Sequence, residues 1–166
     1  MNPYQKNLGR QDPLKVLAAT PARIQALIRG LSPRQLRKRP KPDKWSIQEI
    51  ISHLTETEMV LCCRARWIAF EDKPTLLPFD QEKWARGWAR EKEPVAETLE
   101  RMLLLRKSHV RLFKSVPKAD LKRTGYHPER GTVSLKEQME TAAGHDLNHI
   151  EQIHRLAAAF KTGTKK

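Results

Sequence analysis

The chain has 166 residues, with 32 Lys and Arg against 19 Asp and Glu and a formal net charge of +13. That length suits a single domain, residues 1–166 with a core over about 12–160, which buries roughly two-thirds of its unfolded surface without disulfide or metal staples. No apolar run approaches the roughly 18 residues of a membrane span, and the opening residues carry no signal-peptide stretch, so the expected compartment is the cytoplasm.

The pattern predicts four main helices. The first runs from about Asp12 to Arg29, with Leu14, Leu17, Ile24, Leu27 and Ile28 on one stripe. Pro21 removes a backbone donor, which predicts a kink there or a restart capped by Thr20. Gly30 ends it. A basic, proline-punctuated connection follows over 31–44, with one turn at Pro33 to Leu36.

The second helix opens on a capping box, Ser46 and Glu49, with Trp45 placed to staple onto Ile50. Its stripe is Ile47, Ile50, Ile51, Leu54, Leu61, Ala65 and Ile68, and His53 falls at the stripe's edge. Cys62 and Cys63 are neighbours whose side chains diverge by about 100°, so they cannot bridge to each other, and filler is the favoured role over a nucleophilic thiolate. Residues 72–93 form a long crossover with a short helix from Asp80 through Trp84 and Trp88.

The third helix follows Pro94, with Val95, Leu99, Met102, Leu103, Leu105, Leu112 and Phe113. A second connection spans 116–133, with a turn at His127 to Gly131. The fourth helix starts at another capping box, Ser134 and Glu137, and its stripe is Leu135, Met139, Ala142, Asp146, Ile150, Ile153 and Phe160. The long crossover lets helices two and three run parallel. The fold class is all-α, an up-down-down-up four-helix bundle.

Of six histidines, three stand out. His145 and His149 are spaced i, i+4, which stacks two imidazoles on one helix face. His53 lies at a compatible depth on another helix. Three imidazoles with an open position suit zinc or a similar divalent ion. The other three serve as controls: His109 is placed on the polar side of helix three, His127 in a turn, and His154 opposite His145.

Two carboxylates sit near the core. Asp146 reads equally as a proton acceptor behind a ligating imidazole or as the partner of a buried Arg or Lys. Glu58 reads first as the partner of a nearby Arg, with a fourth ligand or a general base as the alternative. The tryptophans read as packing rather than as a substrate-stacking wall. The basic residues are spread over loops and helix faces without interleaved aromatics, so any nucleic-acid binding is expected to be weak and sequence-blind.

The run Lys44-Trp45-Ser46-Ile47-Gln48-Glu49-Ile50-Ile51-Ser52-His53-Leu54 and the run Gly144-His145-Asp146-Leu147-Asn148-His149-Ile150-Glu151-Gln152-Ile153 resemble the two signature stretches of the DinB-like superfamily. Their separation and the segment His127 to Thr132 fit as well, and the resemblance covers about Asp12 to Phe160. It implies a four-helix bundle of up-down-down-up topology and a divalent-metal site at His53, His145 and His149, with zinc or nickel as the type of ion. It also implies a small-molecule substrate, a frequent homodimer and an enzyme of thiol S-transferase or hydrolase type. Bacillithiol transferases and mycothiol-dependent isomerases in the family add a low-molecular-weight thiol as a candidate cofactor. A non-catalytic metal-binding or nucleic-acid-associated stress-response protein is the alternative.

Overall fold

The computed structural model describes residues 4–85 and 93–162. A short turn of helix, α1 (Gln5–Leu8), precedes α2 (Pro13–Ile28), α3 (Pro33–Arg37) and α4 (Ile47–Phe70). The crossover carries α5 (Gln81–Ala85), after which come α6 (Val95–Ser115), a hairpin of β1 (Thr124–His127) and β2 (Gly131–Ser134), and α7 (Leu135–Thr162). Trp88 lies outside the described residues.

The helix ends follow local chemistry. Asp12 caps α2 by accepting from the backbone N–H groups of Leu14 and Lys15. Ser46 and Glu49 form the box that starts α4, and Ser134 and Glu137 exchange the same pair of bonds at α7. Pro21 does not interrupt α2, and Thr20 does not cap a restart. Instead the Thr20 hydroxyl donates to the carbonyl of Val16 within one continuous helix.

Side-chain bonds between helices fix the direction of each. Thr55 reaches Thr98 and Arg66 reaches Ser108, so α4 and α6 run parallel. His53 meets His145, while Arg123 links the carbonyl of Ile68 to the start of α7, so α4 and α7 are antiparallel. Lys161 at the end of α7 bonds Leu27 at the end of α2, which makes those two parallel. The result is up-down-down-up, with α2 and α4 each packed on both α6 and α7.

The sequence reading placed only a turn in the second connection. The chain there forms an antiparallel hairpin, with Thr124 opposite Ser134 and His127 opposite Gly131. Gly131 sits at φ +73°, the left-handed conformation that lets the turn close. The crossover adds a bridge to it, Leu76 donating to Tyr126 and Tyr126 to Pro74. That pairing is long-range and leaves no local signature.

The apolar core divides in two. One half holds Leu17, Leu61, Ala65, Ile68, Phe113, Leu135 and Ala142. The other holds Ile24, Ile47, Ile51, Leu54, Met102, Ile150 and Ile153. In each of the four long helices buried polar residues lie between the halves: Thr20 in α2, Thr55 to Glu58 in α4, Arg106 and His109 in α6, His145, Asp146 and His149 in α7. Among the described residues no helix is long and apolar enough to cross a membrane.

Candidate metal centre

The polar layer contains the three histidines singled out from the sequence, and the fold brings them together. His53 on α4 is 2% exposed, deeper than the edge-of-core placement its helix position suggested, and His145 and His149 on α7 are also buried. The Nε2 atoms converge: His53 to His145 is 3.0 Å and His145 to His149 is 3.1 Å. Among the described residues this is the one group of three His, Cys, Asp or Glu side chains with ligand atoms so close.

The outward nitrogens are held from behind. The Nδ1 of His149 donates to Gln152 Oε1 at 3.2 Å, which leaves its Nε2 lone pair facing the centre. Thr57 lies 3.5 Å from Nδ1 of His53, one turn along α4. Burial pushes the pKa of His149 down to about 4. Burial, then the neighbouring imidazoles and Arg106, push His145 well down. Both rings are therefore neutral near pH 7, the form that donates a lone pair to a metal.

Three neutral nitrogens facing one another fit a divalent cation. Tetrahedral ligation at about 2.0–2.1 Å would set them about 3.3–3.4 Å apart, a few tenths of an ångström wider than they stand.

Two aromatic rings enclose the cluster. Trp45 lies 4.7 Å from the His53 ring and stacks on His149 at 6.2 Å. Tyr4 meets the edge of His145 at 5.2 Å. Tyr4 comes so near because α7 carries Gly144 there: a Cβ at 144 would stand 2.6 Å from the Tyr4 carbonyl oxygen. A cleft of about 470 Å³ leads to His149 between Trp45, Ile50, Gln152, Lys44, Arg155 and Glu82.

The two carboxylates turn away from the imidazoles. Asp146 accepts from Arg106, and Glu58 Oε2 lies 3.1 Å from the same guanidinium. Glu58 also meets His109 Nδ1 at 2.9 Å. His109 is fully buried, so its placement on the polar side of α6 was wrong. Its helix packs on both α2 and α4, and the wider buried face takes in residue 109. His127 closes β1 and is buried, while His154 is exposed.

Arg106 has a third acceptor, the carbonyl of Leu17 at 3.1 Å. That carbonyl would bond the N–H of residue 21 in a regular helix, and Pro21 has none. Burial works against charge on both carboxyls. It prevails at Asp146, whose pKa is raised. At Glu58 Arg106 and His109 together outweigh it and lower the value.

Sequence reasoning missed Tyr4, the seating of Trp45 on the rings, and Arg106. A signal existed for each of two: Gly144 inside a strong helix beside His145 marks a close backbone approach. Met102, Arg106, His109 and Phe113 share the i, i+4, i+7, i+11 spacing of one buried face.

The model of the DinB superfamily matches residues 17–153. The chain belongs to the DinB superfamily. Among curated relatives, a protein of Bacillus mycoides is 29% identical over 136 residues, covering 82% of this chain and 78% of that one. One from Geobacillus thermodenitrificans is 29% identical over 141 residues, with 82% and 77% covered. Both are provisionally named metal-dependent hydrolases. Among solved structures, YfiT from Bacillus subtilis superposes with a TM-score of 0.84 at 20% identity, over 90% of this chain and 86% of its own. YfiT is described as a four-helix bundle of unusual topology, provisionally a metal-dependent hydrolase.

Proposed function

We propose that this DinB-superfamily chain is a metal-dependent enzyme of hydrolase type, with a divalent ion such as zinc or nickel held by His53, His145 and His149. The observation that carries this reading is the convergence of three buried Nε2 atoms with no carboxylate among them. The provisional names of the relatives point the same way.

An ion bound there would supply Lewis acidity, which stabilises charge developing on an oxygen of a small-molecule substrate. The chain's own residues do the rest. Gln152 and Thr57 hold the imidazoles in register, Trp45 and Tyr4 shield them from bulk water, and the cleft beside His149 admits the substrate. Asp43 and Glu82 are the carboxylates lining that cleft. Glu58 and Asp146 serve the Arg106 network rather than proton transfer at the histidines. A low-molecular-weight thiol in place of water as the attacking group would make the reaction a thiol transfer, as in some family members. The proposal extends to a homodimer in the cytoplasm, with nucleic acid bound only weakly and through charge.

Elemental analysis of untagged protein should find one divalent ion per chain. Small esters, amides and phosphate esters, each offered with and without a thiol, should reveal a turnover that stops on chelation and returns with metal. Stoichiometric loading that survives the His145→Ala, His149→Ala double substitution would overturn the site. A substrate turned over equally by the parent and by folded, metal-free His149→Ala would overturn metal catalysis of that reaction.

A further inference from the structure

A groove of about 1030 Å³ lies between α3 and the last turns of α7. Leu156, Ala159 and Phe160 line it from α7, and Arg34, Arg37 and Lys38 from the α3 side. Arg39 lines it too, but its charge is met by Glu49. No carboxylate is among the lining residues.

The three remaining cations are exposed, and none has an ion pair or side-chain hydrogen bond among the described residues. Arg34 and Arg37 are three residues apart on α3, and Lys38 follows at its end. Like charges at this spacing repel, and an anion between them relieves the repulsion. The α7 side offers the opposite chemistry. Leu156 and Phe160 are only partly buried against the core, and Ala159 is exposed. The groove thus pairs an apolar surface with unpaired positive charge, which is complementary to an apolar molecule carrying an anion.

Its position ties it to the histidines. Pro40 and Leu156 line both this groove and the cleft that leads to His149, so the two adjoin. Leu156 falls seven residues after His149 on α7 and Phe160 eleven, which returns both to within about 20° of the same face. The rise of the helix puts them about 10–17 Å from His149. Volumes of 470 and 1030 Å³ are on the scale of small-molecule sites, roughly 300–1,000 Å³.

We propose that the groove holds the far end of the substrate. The substrate is then an elongated organic molecule with an apolar body and a phosphate or carboxylate, the charged group about 10–17 Å from the bond that reacts. The role in substrate choice rests on the metal-dependent reading above. The capture of an apolar anion does not, because it is measurable without metal.

The first measurement titrates naphthyl phosphate and naphthoate into chelated full-length protein by calorimetry, with naphthol and inorganic phosphate as controls at matched ionic strength. A naphthyl anion should bind at least about tenfold more tightly than either control, and the tighter of the two anions names the charged group. The triple substitution Arg34→Gln, Arg37→Gln, Lys38→Gln should weaken that binding at least about tenfold. All three positions are exposed, and circular dichroism checks the fold. Lys107→Gln, Arg111→Gln and Lys114→Gln together remove the same charge from α6 and should change nothing. Ala159→Glu, a negative charge at an exposed lining position, should weaken binding as the α3 variant does.

The second measurement tests reach. In metal-loaded protein, an alkyl hydroxamate with the preferred anion about 10–17 Å from its hydroxamate should bind at least about tenfold more tightly than the same chain ending in methyl. The α3 variant should erase that gain.

Naphthyl anions no tighter than the controls, equal binding by the parent and the α3 variant, or an equal loss in the α6 variant overturns the groove. Anion capture without the gain for the long hydroxamate overturns its link to the substrate. A single-stranded oligonucleotide that displaces the naphthyl anion at physiological salt, and needs the same three cations, overturns the small-molecule assignment. Metal content of the same samples separates the two readings. Loaded metal without anion capture sinks the groove alone, and anion capture by protein that takes up no metal sinks the metal reading and with it the substrate role.

Discussion

The histidine cluster and the Arg106 network occupy one layer of the bundle, a few residues apart, and are built on opposite plans. Around Arg106 opposite charges meet: two carboxylates and a helix carbonyl face one guanidinium, and an imidazole meets one of those carboxylates. Around His145 three like groups face one another, and nothing in the cluster carries a compensating charge. The first arrangement holds helices together; the second is complete only with a cation. Buried polar residues in one layer can thus serve two ends, and what separates them is whether opposite charges face one another.

Breaking the closed network should have the largest effect on the fold. Arg106→Ala leaves two buried carboxylates without their cation, and stability to urea should fall by about 3–5 kcal/mol. If the loss is under about 1 kcal/mol, the network does not hold the helices as described.

Breaking the open cluster should do the reverse. His149→Ala should abolish stoichiometric metal binding by elemental analysis while the helical circular dichroism stays intact. Chelating the parent should likewise leave it folded, because the two apolar halves of the core do not depend on an ion. Helical signal lost on chelation would make the ion structural.

Acid sharpens the contrast. The pKa of His149 is about 4 in the folded chain and about 6.5 when unfolded, so the folded state binds fewer protons between those values. Its stabilising contribution is complete above about pH 6.5 and is lost as pH falls towards 4, and His145 acts in the same direction. Urea midpoints of chelated protein should decline through that window, and His149→Ala should flatten the decline. Metal occupancy should fall over the same range, since imidazolium does not ligate.

The smallest expected effect is at Pro21. Replacing a mid-helix proline with alanine would ordinarily gain about 3 kcal/mol. Here Arg106 already uses the freed carbonyl of Leu17, so Pro21→Ala should change stability by less than about 1 kcal/mol. A full gain on thermal melting would show that the guanidinium contact adds little.

Much of this was legible in the sequence because it is local. Ser46 with Glu49 and Ser134 with Glu137 mark two helix starts by chemistry that acts over three residues, and the apolar stripes set which faces meet. The i, i+4 pair His145 and His149 is likewise local, and His53 could be added because the stripe puts it beside the core, although it lies deeper than that placement suggested. The hairpin depends on pairing with Pro74 and Leu76, about fifty residues away. Arg106 joins groups from α2, α4 and α7, and His109 lies buried because of what packs against it, not because of its own neighbours in sequence.

Gly144 carries a consequence for anyone redesigning the protein. In the middle of a long helix a glycine is the first residue a stability screen would replace, since alanine there is worth up to about 1 kcal/mol in helix propensity. The methyl group gained would collide with the backbone at Tyr4 and push the N-terminal segment off α7. His145 would lose the Tyr4 ring that covers it and gain water on that side. A more rigid bundle would come with a wetter histidine cluster, so at this position thermal robustness and an enclosed reaction site oppose each other.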